Sequence, residues 1–274
     1  MKLDLQKHGN VKTKLRKSFL NASPYPHIVI DNFLDEDSAN KLLKEHADDE
    51  INKNWGSYVH FNEKKSGITK YDLMGSNTKK TIDSFSNNEF ISWLEDLTNI
   101  KKLMPDPDLD GGGLHMIERG GFLNVHVDFL AHTVNKNWSR QLNLLLYLNK
   151  EWKEEWGGDL ELWDENMKNC VVKIKPIFNR CVIFNTRQGS YHGHPDPLQC
   201  PPEVKRRSLA LYYFRDEGKQ VPLTPTNYQA RPNENFLKVF LISLDRKLLW
   251  LFAFSKRYLG IKDTFIQKIL KFFK

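Results

Sequence analysis

Cysteine is scarce in this chain: Cys170, Cys181 and Cys200 are the only three among 274 residues. They are odd in number and lack zinc-type spacing, which argues against both a disulfide framework and a structural zinc module. Cys170 and Cys181 stand in apolar, strand-like runs and read as small buried residues, in a reducing compartment that is expected to be the cytoplasm. Long apolar runs are also missing. In the C-terminal tail the longest uncharged apolar stretch is Leu248 to Phe254, far short of the roughly 20 residues that cross a bilayer. Met1 to Leu20 is polar and basic, without the apolar core of a secretory signal. Internal repeats and low-complexity tracts are absent. The body of the chain carries no net charge. Residues 236–274 hold nine Lys/Arg and two Asp, so the whole formal excess of +7 lies in the tail. A neutral body argues against nucleic acid as a partner, since such a protein needs a basic stripe beside its site.

With 40% hydrophobic and 12% aromatic residues the chain can bury one sizeable core. A basic, mobile arm is expected over 1–22, a folded domain over 23–232 and a basic amphipathic helical tail over 233–274. Tyr25 to Leu34 reads as a strand, and Asp35 to His46 as an acid-started helix burying Leu42 and Leu43. Asn54 to Gly75 reads as strand and loop. Asn87 to Asn99 reads as a helix, with Phe90, Ile91, Trp93, Leu94 and Leu97 at apolar spacing. From Asp110 to Phe214 short apolar runs alternate with Gly, Asn, Asp and Pro turns, the pattern of an all-β sandwich or barrel.

One segment of that pattern carries chemistry. In Gly121 to Asp128, His126 and Asp128 are two apart on an alternating strand and project from one face. An imidazole and a carboxylate so placed can grip one metal; the bland alternative is a surface strand with both residues solvated. Further on, Ser190 to Pro195 contains His192 and His194, either of which can add a second imidazole. Two His and one carboxylate leave the opposite face of an octahedral ion open, a geometry suited to non-haem Fe(II) and O2. His132, in the loop after the first segment, reads as solvated.

Between these segments lie Arg140 to Asn149, ending in Leu-Asn, and the Gly157-Gly158 strand through Trp163; after them comes Lys205 to Phe214, opening with Arg206-Arg207-Ser208. This order resembles the 2-oxoglutarate- and Fe(II)-dependent oxygenases, most closely the prolyl-4-hydroxylase-like branch, over about 24–231 and most strongly over 114–216. The resemblance implies a mainly β double-stranded β-helix (jelly roll) with flanking N-terminal helices. It implies Fe(II) on His126, Asp128 and His192, with His194 in a supporting hydrogen bond or packed over Pro195. 2-Oxoglutarate and O2 are the implied cosubstrates, and ascorbate is compatible as a reductant. The distal carboxylate of 2-oxoglutarate calls for a planar cationic fork. Arg206 shares its strand face with the small Ser208 and Ala210, so it is the expected anchor, and Arg207 reads as solvated. Relatives place a tyrosine hydroxyl on the same carboxylate; Tyr147 either does this or bonds elsewhere as a barrel aromatic. Asn143 and Leu145 share its face, and Leu160 reads as an apolar wall. The position that holds a tyrosine beside the iron in many relatives is here Met116, which sets the acceptor pocket apart.

The expected activity is hydroxylation of an unactivated C–H, on peptidyl or free proline. The alternatives are hydroxylation of a small metabolite or glycan precursor, or a non-catalytic, membrane-peripheral barrel protein. The tail, with apolar positions 265, 266, 269, 270, 272 and 273 opposed by lysines, either caps the barrel or a second subunit, or lies on an anionic membrane surface.

Overall fold

In the computed structural model, which describes residues 12–48, 51 and 53–259, the N-terminal third alternates helices and short strands. It runs α1 (Lys12–Leu20), β1 (His27–Ile30), α2 (Glu36–His46), β2 (Gly56–His60), β3 (Glu63–Ile68), α3 (Ser76–Ser86) and α4 (Asn88–Thr98). Strands then dominate: β4 (Met104–Pro105), β5 (Gly113–Ile117), β6 (Phe122–Val127), β7 (Trp138–Tyr147), β8 (Leu160–Trp163) and β9 (Cys170–Ile174). They are followed by β10 (Arg180–Asn185), β11 (His192–His194), β12 (Arg206–Asp216), β13 (Asn227–Tyr228) and a last helix, α5 (Phe236–Leu259). One antiparallel sheet is ordered β1-β10-β7-β12-β5-β3-β6-β11-β8-β9, with β13 on β6, β2 on β3 and β4 on β12. It curls on itself, so that side chains of β6, β7, β11 and β12 meet in one cavity. This is the mainly β, jelly-roll architecture the resemblance implies.

Alternation in the central strands sorts the molecule into two layers. In β7, Leu142, Leu144 and Leu146 are fully buried against the helices, in a core with Phe19, Leu42, Phe85, Phe90, Leu94 and Leu97. Asn143, Leu145 and Tyr147 point the other way, into the barrel. β10 repeats the division, with Cys181 and Ile183 toward the helices and Val182 and Phe184 inside. In β12, Leu209, Leu211 and Tyr213 join the helical core, whereas Arg206 and Ser208 line the barrel cavity. α4 buries Phe90, Trp93, Leu94 and Leu97, and its first turn is capped by Asn87, whose side chain accepts from the Phe90 N–H at 2.8 Å.

Two elements depart from the sequence reading. The segment expected to be a mobile arm contains α1, whose Phe19 is wholly buried in the helical core, while Arg16 donates to Asn99 Oδ1 at 2.8 Å. Residues 1–11 lie outside the described residues. α3 was not expected, because its sequence is polar and carries no side-chain cap of its own. Its cap comes from α2. The Glu45 carboxylate accepts from the Asn77 N–H (2.7 Å), the Asn77 Nδ2 (3.0 Å), the Thr78 N–H (2.7 Å) and the Thr78 hydroxyl (2.6 Å). Glu45→Ala is expected to lower unfolding stability by about 2 kcal/mol, read from urea denaturation. An unchanged midpoint would mean that α3 holds its place by packing alone.

α2 ends on His46, which is fully buried, with Nε2 3.2 Å from the His115 carbonyl. Burial, reinforced by the Arg207 charge, pushes its pKa down to about 4. In the unfolded chain the imidazole titrates near 6.5 and therefore binds more protons than the folded state between those values. Stability then rises with pH through this window and is lost on acidification, by about 2 kcal/mol from pH 8 to pH 5 for this group. His46→Leu is expected to flatten the fall of the urea midpoint between these pH values; an unchanged slope would assign it to other groups.

In the tail, α5 rests on the barrel through the buried Ile242 and a hydrogen bond from the Asn62 amide to Asp245. Phe236, Leu237, Phe240, Leu248 and Leu251 of the same helix are exposed. The apolar positions from 265 onward lie outside the described residues. No helix among the described residues is long and apolar enough to cross a membrane.

Candidate active site

β6 and β11 pair so that His126 stands directly opposite His192, with ring centroids 4.5 Å apart. Asp128 follows at the end of β6 and closes the group. His126 Nε2 lies 3.4 Å from Asp128 Oδ1, and His192 Nε2 lies 3.2 Å from Asp128 Oδ2. One ligand atom from each residue falls within 4.8 Å of the others.

The tautomers follow from the backbone. His126 Nδ1 is 2.9 Å from the Asn124 carbonyl, and His192 Nδ1 is 3.0 Å from the Ser190 carbonyl. A carbonyl only accepts, so each Nδ1 carries the proton and each Nε2 offers a lone pair. Burial, with the neighbouring His192, lowers the His126 pKa and keeps that ring neutral. Burial alone would raise the Asp128 pKa, but the Arg140 guanidinium beside it holds the carboxyl well below the usual range. Two imidazole lone pairs thus face an ionised carboxylate across a small gap. A cation resolves that arrangement, and the donor set fits Fe(II).

Two side chains of β7 hold the carboxylate. Asn143 Nδ2 donates to Asp128 Oδ2 at 2.6 Å, and Arg140 Nη2 lies 3.2 Å from the same oxygen. The Asn143 carbonyl accepts from Arg140 Nε at 2.8 Å, which links the two. The Arg140 guanidinium is buried 3.3 Å from the Tyr212 ring centroid. Sequence reasoning missed Arg140. Asn143 lines the expected cosubstrate cavity, but its amide is spent on Asp128 and Arg140.

That cavity, of about 80 Å³, runs inward from the three residues and is lined by Tyr147, Leu160, His194, Arg206 and Ser208 among others. Arg206 is buried; its Nε donates to the Gly158 carbonyl at 2.8 Å and its Nη2 to the Tyr147 hydroxyl at 3.3 Å. Burial raises the Tyr147 pKa against the pull of Arg206, so the phenol stays protonated. Gly158 adopts φ +78°, and a Cβ there would stand 2.5 Å from Leu198 Cδ2 and 3.1 Å from Arg206 Cδ. The close approach of the arginine therefore requires glycine.

On the other side of His126 and Asp128 opens a wider cavity of about 670 Å³, with Glu63, Lys65, Arg140, Tyr212 and Tyr228 in its wall. A third, of about 540 Å³, reaches Asp128 from beneath α5, past Tyr191, Arg246 and Trp250.

Three expectations are corrected here, and that for His194 is narrowed to its packing alternative. His132 is buried, not solvated: its Nε2 lies 3.2 Å from Asp106 Oδ1, while its Nδ1 accepts from the Val134 and Asn135 N–H groups. Those bonds make it the pin of its loop. Arg207 is half-buried beside His46 rather than solvated, and its backbone N–H donates to Asn149 Oδ1. Met116 does not face the site. β5 pairs Ser208 with His115 and Arg207 with Met116, so His115 turns inward. Burial and the Lys65 charge push the His115 pKa down to about 3. Finally, His194 makes no hydrogen bond through either ring nitrogen.

Residues 112–214 match the profile of the 2OG-Fe(II) oxygenase superfamily. That stretch runs from the end of the loop before β5 into β12 and contains His126, Asp128, His192 and Arg206, so over it the chain is similar to a superfamily whose members use Fe(II) and 2-oxoglutarate. The chain is 23% identical over 215 residues to the mouse prolyl 3-hydroxylase OGFOD1, matching 77% of this chain and 36% of that protein. It thus spans about a third of the length of that curated relative. Among solved structures, the fold resembles that of a Trichoplax adhaerens prolyl hydroxylase in complex with a peptide of hypoxia inducible factor. The TM-score is 0.55 at 22% identity, covering 80% of this chain and 94% of that one. A Pseudomonas putida prolyl-4-hydroxylase gives a TM-score of 0.53 at 15% identity, covering 73% of this chain and 98% of that one.

Proposed function

We propose that His126, Asp128 and His192 hold the Fe(II) of this oxygenase, and that it hydroxylates an unactivated C–H bond of peptidyl or free proline. The observation that carries this reading is the position of the three ligands between two cavities, one ending on Arg206 and the other opening to solvent. Bound there, Fe(II) with O2 and 2-oxoglutarate supplies the oxidising power for hydroxylation, the cosubstrate leaving as succinate and CO2. The chain's own residues orient and exclude. The two Nδ1–H bonds fix the imidazoles, and Asn143 and Arg140 keep Asp128 ionised and aimed. Arg206, beside Tyr147 and Ser208, receives the distal carboxylate of the cosubstrate. Proline as acceptor is supported by the relatives, which carry prolyl hydroxylase names.

A second reading, hydroxylation of a small polar metabolite or glycan precursor, is favoured by the ionic wall of the wider cavity, where Glu63 and Lys65 pair at 2.9 Å and Arg140 lies close by. One experiment tests both. The purified protein, with Fe(II), 2-oxoglutarate and ascorbate in air, is expected to release succinate slowly, and faster with its acceptor. Proline peptides and cell-extract metabolites are then screened for the gain of one oxygen atom. Gain on a metabolite and none on any peptide would replace the first reading by the second, and no succinate at all would remove both.

A further inference from the structure

β11 carries two histidines on one face, and the proposed metal site uses only the first. His194 lies two residues beyond His192, one pleat deeper into the barrel, where β11 pairs with Leu123 rather than with the metal-side end of β6. It is buried, and neither ring nitrogen has a hydrogen-bond partner. An imidazole buried in this way loses its hydration and gains nothing in return. Its ring lines the same small cavity as Arg206, Tyr147 and Ser208. The step from residue i to i+2 along a strand is about 7 Å, comparable with the length of a five-carbon dicarboxylate held at the metal by one end. His194 therefore stands beside the far end of such a molecule.

We propose that His194 is a positioning residue for the cosubstrate, donating a ring N–H to the carboxylate that Arg206 anchors. The inference rests on the cosubstrate reading of this cavity. A neutral imidazole has one N–H donor and one acceptor, so a single hydrogen bond to the carboxylate satisfies its donor. The carboxylate then meets a guanidinium, a phenol and an imidazole from different sides of the cavity. Such a ring selects for a charged terminus, because a 2-oxo acid with an apolar end would leave it unpaired.

The test is anaerobic titration of 2-oxoglutarate, and of 2-oxopentanoate, which lacks the distal carboxylate, into the Fe(II)-loaded full chain. His194→Leu is expected to weaken 2-oxoglutarate about tenfold while leaving 2-oxopentanoate and Fe(II) affinity unchanged. His194→Gln, which keeps an N–H donor, should recover most of the loss. Independently of how the variants fold, the wild-type protein carrying Zn(II) and 2-oxoglutarate should show a slowly exchanging His194 ring N–H by NMR. Wild-type 2-oxoglutarate affinity in His194→Leu, a parallel loss for both oxo acids, or no protected ring N–H in the saturated complex would each overturn the proposal. If the wild-type protein binds no 2-oxoglutarate in the presence of metal, the cosubstrate reading itself falls and takes this inference with it.

Discussion

An Asp128→Ala variant is expected to bind Fe(II) weakly and to release no succinate above background. Asp128 is the only anionic member of the donor set, and its two oxygens face His126 Nε2 and His192 Nε2 at 3.4 and 3.2 Å. Removing it takes away both a ligand and the charge that makes a dication welcome. A graded series should accompany this loss. Asn143→Ala and Arg140→Met leave the carboxylate in place but release its orientation, and changes of this kind cost about 10–100-fold in metal affinity. Among the histidines, His192→Ala should lose the metal, whereas the His194 variants should keep it. Anaerobic Fe(II) titration followed by the succinate assay reads the whole series. Fe(II) affinity surviving intact in Asp128→Ala, or lost in His194→Ala and kept in His192→Ala, would sink the assignment of ligands.

How much of this site could be read from the chain follows from how local each contact is. His126 and Asp128 are two residues apart on a strand, and that spacing alone puts them on one face. The division of β12 into an Arg206 face and a Leu209 face is equally local, and the core bears it out. His192 is different. It meets His126 only because β11 pairs with β6 in one register, and no local pattern announces that pairing.

The misreadings share a long-range cause. α3 depends on a cap from Glu45, more than thirty residues earlier, so its polar sequence carries no helix start signal of its own. The burial of His132 depends on Asp106 and on two N–H groups of its own loop. The position of Met116 is carried over from relatives, whereas its facing is set by the register of β5 on β12, which opposes Met116 to Arg207 and His115 to Ser208. A Cβ on Gly121 would sit 2.5 Å from Ile117 Cγ2 and 2.7 Å from the Lys64 carbonyl. That close approach holds the turn between β5 and β6, and on the β5 side of it His115 faces inward.

Arg206→Ala is expected to cost roughly 2–5 kcal/mol in 2-oxoglutarate binding, because it leaves a desolvated carboxylate without its charge partner. That is a loss of about thirty-fold or more in affinity. Fe(II) affinity should not change, since the proposed ligands His126 and His192 lie on β6 and β11, with Asp128 just after β6, and all keep their own hydrogen bonds. Arg206→Lys should recover only part, because an ammonium on a flexible stem cannot reproduce the planar fork. Arg207→Ala is the control: its side chain lies on the helical side of β12, with Leu209 and Leu211, and should leave cosubstrate affinity near that of the wild type. Gly158→Ala separates the charge from its placement. The guanidinium remains, but a methyl group 3.1 Å from Arg206 Cδ, on a backbone at φ +78°, must displace it or the neighbouring Leu198. Cosubstrate affinity should then fall with the cation still present. Anaerobic titration followed by the metal-to-ligand charge-transfer band measures all four variants. Unchanged affinity in Arg206→Ala together with a loss in Arg207→Ala would reverse the facing of β12, and with it the identity of the cavity as the cosubstrate site.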